Sequence, residues 1–176
     1  MILTGPEIYK RLEKGEIVID PFNEDQLNPN SYNLRLHSEL MKYDLQRPFK
    51  LDPKVEHPTY KFSIPEEGQC LRKGELYLGR TVEFTSTFDC APSIEGRSSL
   101  ARLGLNVHIS AGFGDVGFCG HWTLEIVPTY DTIIYPNMEI CQIFYHEIIG
   151  EVVNYDGKYQ NNTDVQPSYL FREFSE

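Results

Sequence analysis

Beyond its first turns the chain repeats one pattern: short apolar runs broken by glycine, proline, asparagine and aspartate. The runs "SYNLRL", "ELYLGRTVEF", "HWTLEIV", "EICQIFYHEI" and "GEVVNY" are rich in β-branched and aromatic residues. That is the composition and spacing of many short strands. Within "HWTLEIV", alternation assigns Trp122, Leu124 and Ile126 to one face and His121, Thr123 and Glu125 to the other. Only the start differs. Ile8 and Leu12 stand at helical spacing behind a Thr4/Glu7 capping-box pair, with Pro6 in the first turn and Gly15 closing the pattern. The prediction is an all-β domain opened by one helix. The last stretch, "YDGKYQNNTDVQPSYLFREF", is polar and turn-rich with aromatics near its end, and reads as an arm that needs a surface to dock on.

Length and charge narrow the picture. The 176 residues suffice for one domain with its own core, taken as 1–176 with 155–176 as the arm. Asp and Glu number 26 against 16 Lys and Arg, a net charge of −10. This balance argues against general affinity for nucleic acid or an anionic membrane. Any polyanion must be held by a local cluster. The start lacks the order of a signal peptide and no apolar run approaches membrane-spanning length, so a cytoplasmic location is expected. Cys70, Cys90, Cys119 and Cys141 are scattered and read as small buried hydrophobes. No H-x-E or H-E-x-x-H supports a zinc site, and no metal ligands are assigned.

Against that acidic background, "EGRSSLARLGL" crowds Arg97 and Arg102 with two serines and two glycines. Ser98 or Ser99 can cap a short helix that Gly104 terminates. Leu100 and Leu103 would then face the core, and Ser98 and Arg102 the other side. Free amides, hydroxyls and guanidiniums suit a phosphate or a developing anion. A capped surface helix with solvated arginines satisfies the same pattern equally well. Downstream, "AGFGDVGFCGHWTLEIV" places Asp115 before a glycine-bounded turn and Glu125 after it. A hairpin could aim both carboxylates at one pocket and divide labour between them, although a turn aspartate and a solvated strand glutamate explain each one alone. His108, His121 and Cys119 lie nearby and are assigned packing or supporting roles.

In combination, "EGRSSLARLGL" followed by "SAGFGDVGFCGHWTLEI" resembles the dCTP deaminases, relatives of the trimeric dUTPases. The likeness extends to "LNPNSYNLRL", "EICQIFY", "GKYQNN" and "PSY", and so runs over nearly the whole chain. The resemblance implies a dUTPase-like β-clip assembled as a homotrimer, with sites between subunits and the arm closing over nucleotide. It implies dCTP as substrate, magnesium carried on the triphosphate, no zinc, and dTTP as a feedback inhibitor.

The resemblance also implies roles for individual residues. Glu125 matches the catalytic glutamate, and Ser98 and Arg102 match groups supporting the reacting centre. Arg97, Ser99 and Arg102 match the phosphate-binding turn, which Leu100 and Ala101 complete. Ala111 matches a backbone carbonyl near the attacking water, Asp115 the carboxylate over the deoxyribose, and Thr123 and Leu124 the residues along the base. Gln142, Tyr155 and Lys158 match further nucleotide contacts, and Asn162 stands where the family usually has a glutamine. Asn33, Gly114 and Val116 depart from the usual aspartate, larger apolar residue and proline. The leading expectation is release of dUTP and ammonia. The alternative is a bifunctional enzyme that also cleaves the triphosphate to give dUMP and diphosphate, and a catalytically silent nucleotide-binding regulator is a third reading.

Overall fold

A computed structural model describes residues 1–45, 50–108 and 110–174. The helix α1 (Gly5–Glu13) forms where the capping pattern places it. Thr4 is its N-cap and accepts the amide of Glu7 at 3.4 Å, satisfying one of the donors left open at a helix start. Gly15 then reverses the chain at φ +72°, a conformation that costs glycine little. Ile8 is fully buried against the sheets.

The rest of the fold is mostly β. First come β1 (Ile17–Asp20), the long β2 (Tyr32–Tyr43), β3 (Thr59–Ser63) and β4 (Gln69–Leu71). Next are β5 (Tyr77–Thr81), β6 (Phe84–Thr87) and β7 (Cys90–Gly96), then a one-turn helix α2 (Ser98–Arg102). The strands β8 (Leu105–Val107), β9 (Cys119–Gly120), β10 (Thr123–Pro128), β11 (Thr132–Ile134) and β12 (Glu139–Glu147) complete the set. The main sheet runs β7-β12-β2-β5-β10-β8, with β3 also on β2, and every pair in it is antiparallel. A second sheet orders β1-β6-β9, and β11 pairs with β4. The core between them includes Tyr32, Leu34, Leu36, Leu124, Ile126, Ile143 and Tyr145, all fully buried. No helix among the described residues is long and apolar enough to cross a membrane.

Most of the predicted strands form, and the differences have local causes. "ELYLGRTVEF" splits into β5 and β6 because Glu83 between them turns inward. Its fully buried carboxylate takes Arg35 Nε at 2.6 Å, the Arg35 amide at 2.8 Å and Gln26 Nε2 at 3.1 Å. A buried charge is tolerable only with such complete pairing. "GEVVNY" finds no strand partner, and Ile149 and Val153 stand in solvent. Leu103, expected in the core, is 63% exposed, while Leu100 packs against the core. Neither serine caps α2: the N-cap is Arg97, without a side-chain bond to the helix.

Gly114 is explained by its neighbour. A Cβ there would sit 2.4 Å from the Trp122 ring and 2.9 Å from Pro92. Trp122 is in turn fixed by its indole N–H on Thr85 at 2.8 Å. The bulk under this loop therefore comes from the strand side. Gly114→Val should lower stability by about 1–3 kcal/mol through overpacking, measured by urea unfolding. Trp122→Phe in the same chain should recover part of the loss. Equal stability of Gly114→Val and wild type would contradict this packing.

Candidate active site

The residues singled out in the sequence fall into five places, of which Gln142 on β12 is one. Arg97 and the five residues of α2 follow directly from the end of β7. Ala111 and Asp115 lie exposed in the loop between β8 and β9. Thr123, Leu124 and Glu125 open β10. Tyr155, Lys158 and Asn162 belong to the C-terminal segment, which runs as a strap along its own chain.

Glu125 has the most informative surroundings. Alternation along β10 buries Leu124 and Ile126 and leaves the Glu125 side chain 41% exposed. Its Oε2 lies 2.8 Å from Nδ1 of His108, whose ring is buried edge-on to Trp122. The backbone agrees, because the His108 amide donates to the Glu125 carbonyl at 2.8 Å. His108 adopts φ +57°, uncommon for a residue with a side chain, where β8 leaves β10. The imidazole thus borders one edge of a carboxylate whose remainder faces solvent, at close range but without a hydrogen bond of good geometry. No sequence spacing announced this pair, since it depends on the β8–β10 register.

The strap covers the start of β10. Tyr155 donates its amide to the Val116 carbonyl at 2.7 Å, and Gln160 bonds both the Gly117 carbonyl and the Cys119 amide. Asn162 is buried. Its Nδ2 donates to the His121 carbonyl at 2.7 Å, and its Oδ1 accepts from Asp164 and Gln166. The Thr123 hydroxyl accepts from the Gln166 amide at 3.1 Å. Val165 then packs with Met41 and Leu78. Asp164 pairs with Lys61 and lies 3.9 Å from Arg80. The arm therefore docks on its own chain, over the strand that carries Glu125. The side-chain amide of Asn162 is engaged in holding the strap, and Lys158 is paired with Glu173.

The cationic turn lies apart from the carboxylate. Strand β8 runs between them, with Leu105 opposite Pro128 and Gly104 accepting the Thr129 amide at 2.7 Å, so α2 sits toward the far end of β10. Among the described residues no hydrogen bond or ion pair joins Ser98 or Arg102 to Glu125. Ser98, Ser99, Ala101 and Arg102 are exposed, and Arg102 has no partner among the described residues. Arg97 pairs with Glu139 at 2.8 Å. The Gln142 carboxamide accepts from Ser31 at 2.8 Å and approaches the Gly96 carbonyl at 3.4 Å. Among the described residues no group of three or more His, Cys, Asp or Glu side chains could hold a metal ion.

Comparison with known proteins adds to this geometry. A family model described as dCTP deaminase-like matches residues 2–148. The chain is 59% identical over 175 residues to a protein of Hathewaya histolytica named "dCTP deaminase, dUMP-forming", covering 99% of each. Proteins of the same name from Cytophaga hutchinsonii and Leptospira biflexa are 54% and 55% identical, covering 99% of this chain and 99% and 98% of theirs. Among solved structures, 2'-deoxycytidine 5'-triphosphate deaminase from Agrobacterium tumefaciens has a similar fold, with a TM-score of 0.65 at 20% identity. That match covers 82% of this chain and 47% of the solved one.

Under the strap, burial and then Arg80 hold the His121 imidazole below its ordinary value of 6.5. A depressed histidine stabilises the fold fully above the unfolded value. That contribution is lost as the pH falls through the lower folded value, because the unfolded chain takes up its proton first. The thermal midpoint of wild type should therefore fall as the pH drops below about 6.5, and His121→Gln should flatten part of that slope. Identical slopes for the two proteins would show that His121 does not titrate on unfolding.

Proposed function

The chain belongs to the dCTP deaminase family, and on that premise we propose that it converts dCTP to dUMP, ammonia and diphosphate. The deamination is the family's reaction. The choice of product rests on one observation: the match, at 54–59% identity and over nearly the full length, to proteins named as dUMP-forming. The expectation of dUTP as the released product gives way to the bifunctional alternative.

In this reading a water oxygen bonds to C4 of the cytosine, the C4–N4 bond breaks, and ammonia leaves. Glu125 carries one proton of that water to N3 of the base, then the remaining hydroxyl proton to the leaving amine, so that C4=O forms as ammonia departs. His108, 2.8 Å from Oε2, bounds the carboxylate on its inner edge while its exposed part meets the substrate. The Ala111 carbonyl lies near the water, and Thr123 and Leu124 line the base through their backbone. Asp115 orients the deoxyribose and directs a second water to the α-phosphorus. There a new P–O bond forms as diphosphate departs, with magnesium arriving as part of the substrate.

Arg97, Ser99, the start of α2 and Lys158 would hold the triphosphate. Lys158 must leave Glu173 to do so, a rearrangement suited to an arm that closes on nucleotide. Among the described residues no hydrogen bond or ion pair joins Ser98 or Arg102 to Glu125 inside one chain, which supports a site completed by a second copy. We therefore propose a homotrimer with shared sites. Gln142 and Asn162, whose side chains are engaged within the chain, act in this reading by shaping the turn and the strap. Feedback by dTTP would use the same phosphate and sugar contacts.

Incubation with dCTP and magnesium, followed by anion-exchange separation, should give dUMP and diphosphate. Accumulating dUTP would restore the single-step reading, and unchanged dCTP would refute deamination. Glu125→Gln should retain nucleotide binding but lose at least 10²–10⁴ in single-turnover rate, about 3–5 kcal/mol of barrier. A rate within a few fold of wild type would remove Glu125 as the proton carrier. Asp115→Asn should retain some deamination but release dUTP. Sedimentation should show a trimer, and truncation after Asn154 should abolish turnover while sparing the sheets. A fully active monomer would overturn the shared site.

A further inference from the structure

The segment "LNPNSYN" takes no part in the chemistry above, yet through Glu139 it is linked to the cationic turn. Strand β12 pairs with β2 and β7 at once, and between Glu139 and Cys141 its register against β2 shifts in a β-bulge. A bulge re-aims the residues around it. Here it brings Glu139 beside Arg97, just past the last β7–β12 pair at Gly96. Glu139 Oε2 accepts Arg97 Nη2 at 2.8 Å, and the Glu139 carbonyl accepts Nη1 at 3.2 Å. The same Oε2 accepts Nδ2 of Asn33 at 3.0 Å. Asn33 is 7% exposed, and its Oδ1 is held by Asn28 Nδ2 at 2.8 Å. Its backbone carbonyl is held by Gln26, which also binds the buried Glu83. The guanidinium is thus anchored, through two side chains, to the interior of the fold.

We infer that Asn33 and Glu139 are positioning residues that fix Arg97 for a nucleotide phosphate. The clamp is made on one side of the guanidinium. It leaves the Nε hydrogen and the second hydrogen of each Nη free to meet phosphate oxygens. An unclamped arginine would lose much rotamer freedom on binding, and a prefixed one loses less. Asn33 has to be neutral for this to work. Its amide donates to a carboxylate, where an aspartate would set a second negative charge against the first.

The inference rests on the dCTP reading, so wild-type turnover of dCTP is established first, and its absence would count against that reading instead. Asn33→Asp and Glu139→Ala should each raise KM for dCTP about tenfold, with kcat changed far less. The double variant Asn33→Asp/Glu139→Gln rebuilds the 33–139 bond in reverse and leaves the other amide atom, the oxygen, to turn toward Arg97, whose Nη1 stays on the 139 backbone carbonyl. It should bring KM back to within about threefold of wild type, on the same scale of energies. Calorimetric binding of dCTP gives the same comparison without turnover. The inference is overturned if Glu139→Ala keeps the wild-type KM. It is also overturned if KM rises only in step with a falling thermal midpoint and the double variant rescues neither. Should Asn33→Asp fail to fold, Glu139→Ala and the double variant still decide between these outcomes.

Discussion

A carboxylate without access to water organises this molecule. Glu83 sits at the corner between β5 and β6, fully buried, and a charge there is tolerable only if its lone pairs are met. They are met by Arg35 on β2 and by Gln26 in the turn before it. One side chain therefore decides where β5 stops, how β2 sits against it, and where Gln26 stands. Gln26 passes the constraint to the backbone of Asn33, and Asn33 passes it through Glu139 to Arg97. The cationic turn is exposed, but its geometry derives from the interior.

Those elements whose cause is local were legible in the sequence. The Thr4 cap, the Gly15 stop and the alternation of Trp122, Leu124 and Ile126 act over a few residues and behave as their patterns state. The strap was visible only as a polar arm. Its docking depends on carbonyls in the Val116–His121 region that no linear pattern displays. Leu103 followed helical spacing toward a core that a one-turn helix does not reach. "GEVVNY" had strand composition, but a strand needs a free neighbouring edge and this segment meets none.

The candidate site divides the same way. In the function proposed, the residue types of the anion turn and the carboxylate strand are readable because phosphate binding and proton transfer would need such groups. Their supporting partners are not. His108 reaches Glu125 only through the β8–β10 register. Asn33 reaches Glu139 only because β2 and β12 are neighbours and β12 carries a bulge. Asparagine and glutamate so far apart in sequence carry no signal until the sheet order is known.

The strap bonds to Val116, Gly117, Cys119 and His121, in and just after the loop that bears Asp115. Loop and strap therefore part together or not at all. Lifting the tail breaks this small set of polar contacts while the sheets stay intact. How readily the tail opens is consequently set by far fewer groups than hold the core, and a substitution among them shifts that balance without altering Glu125 or Asp115.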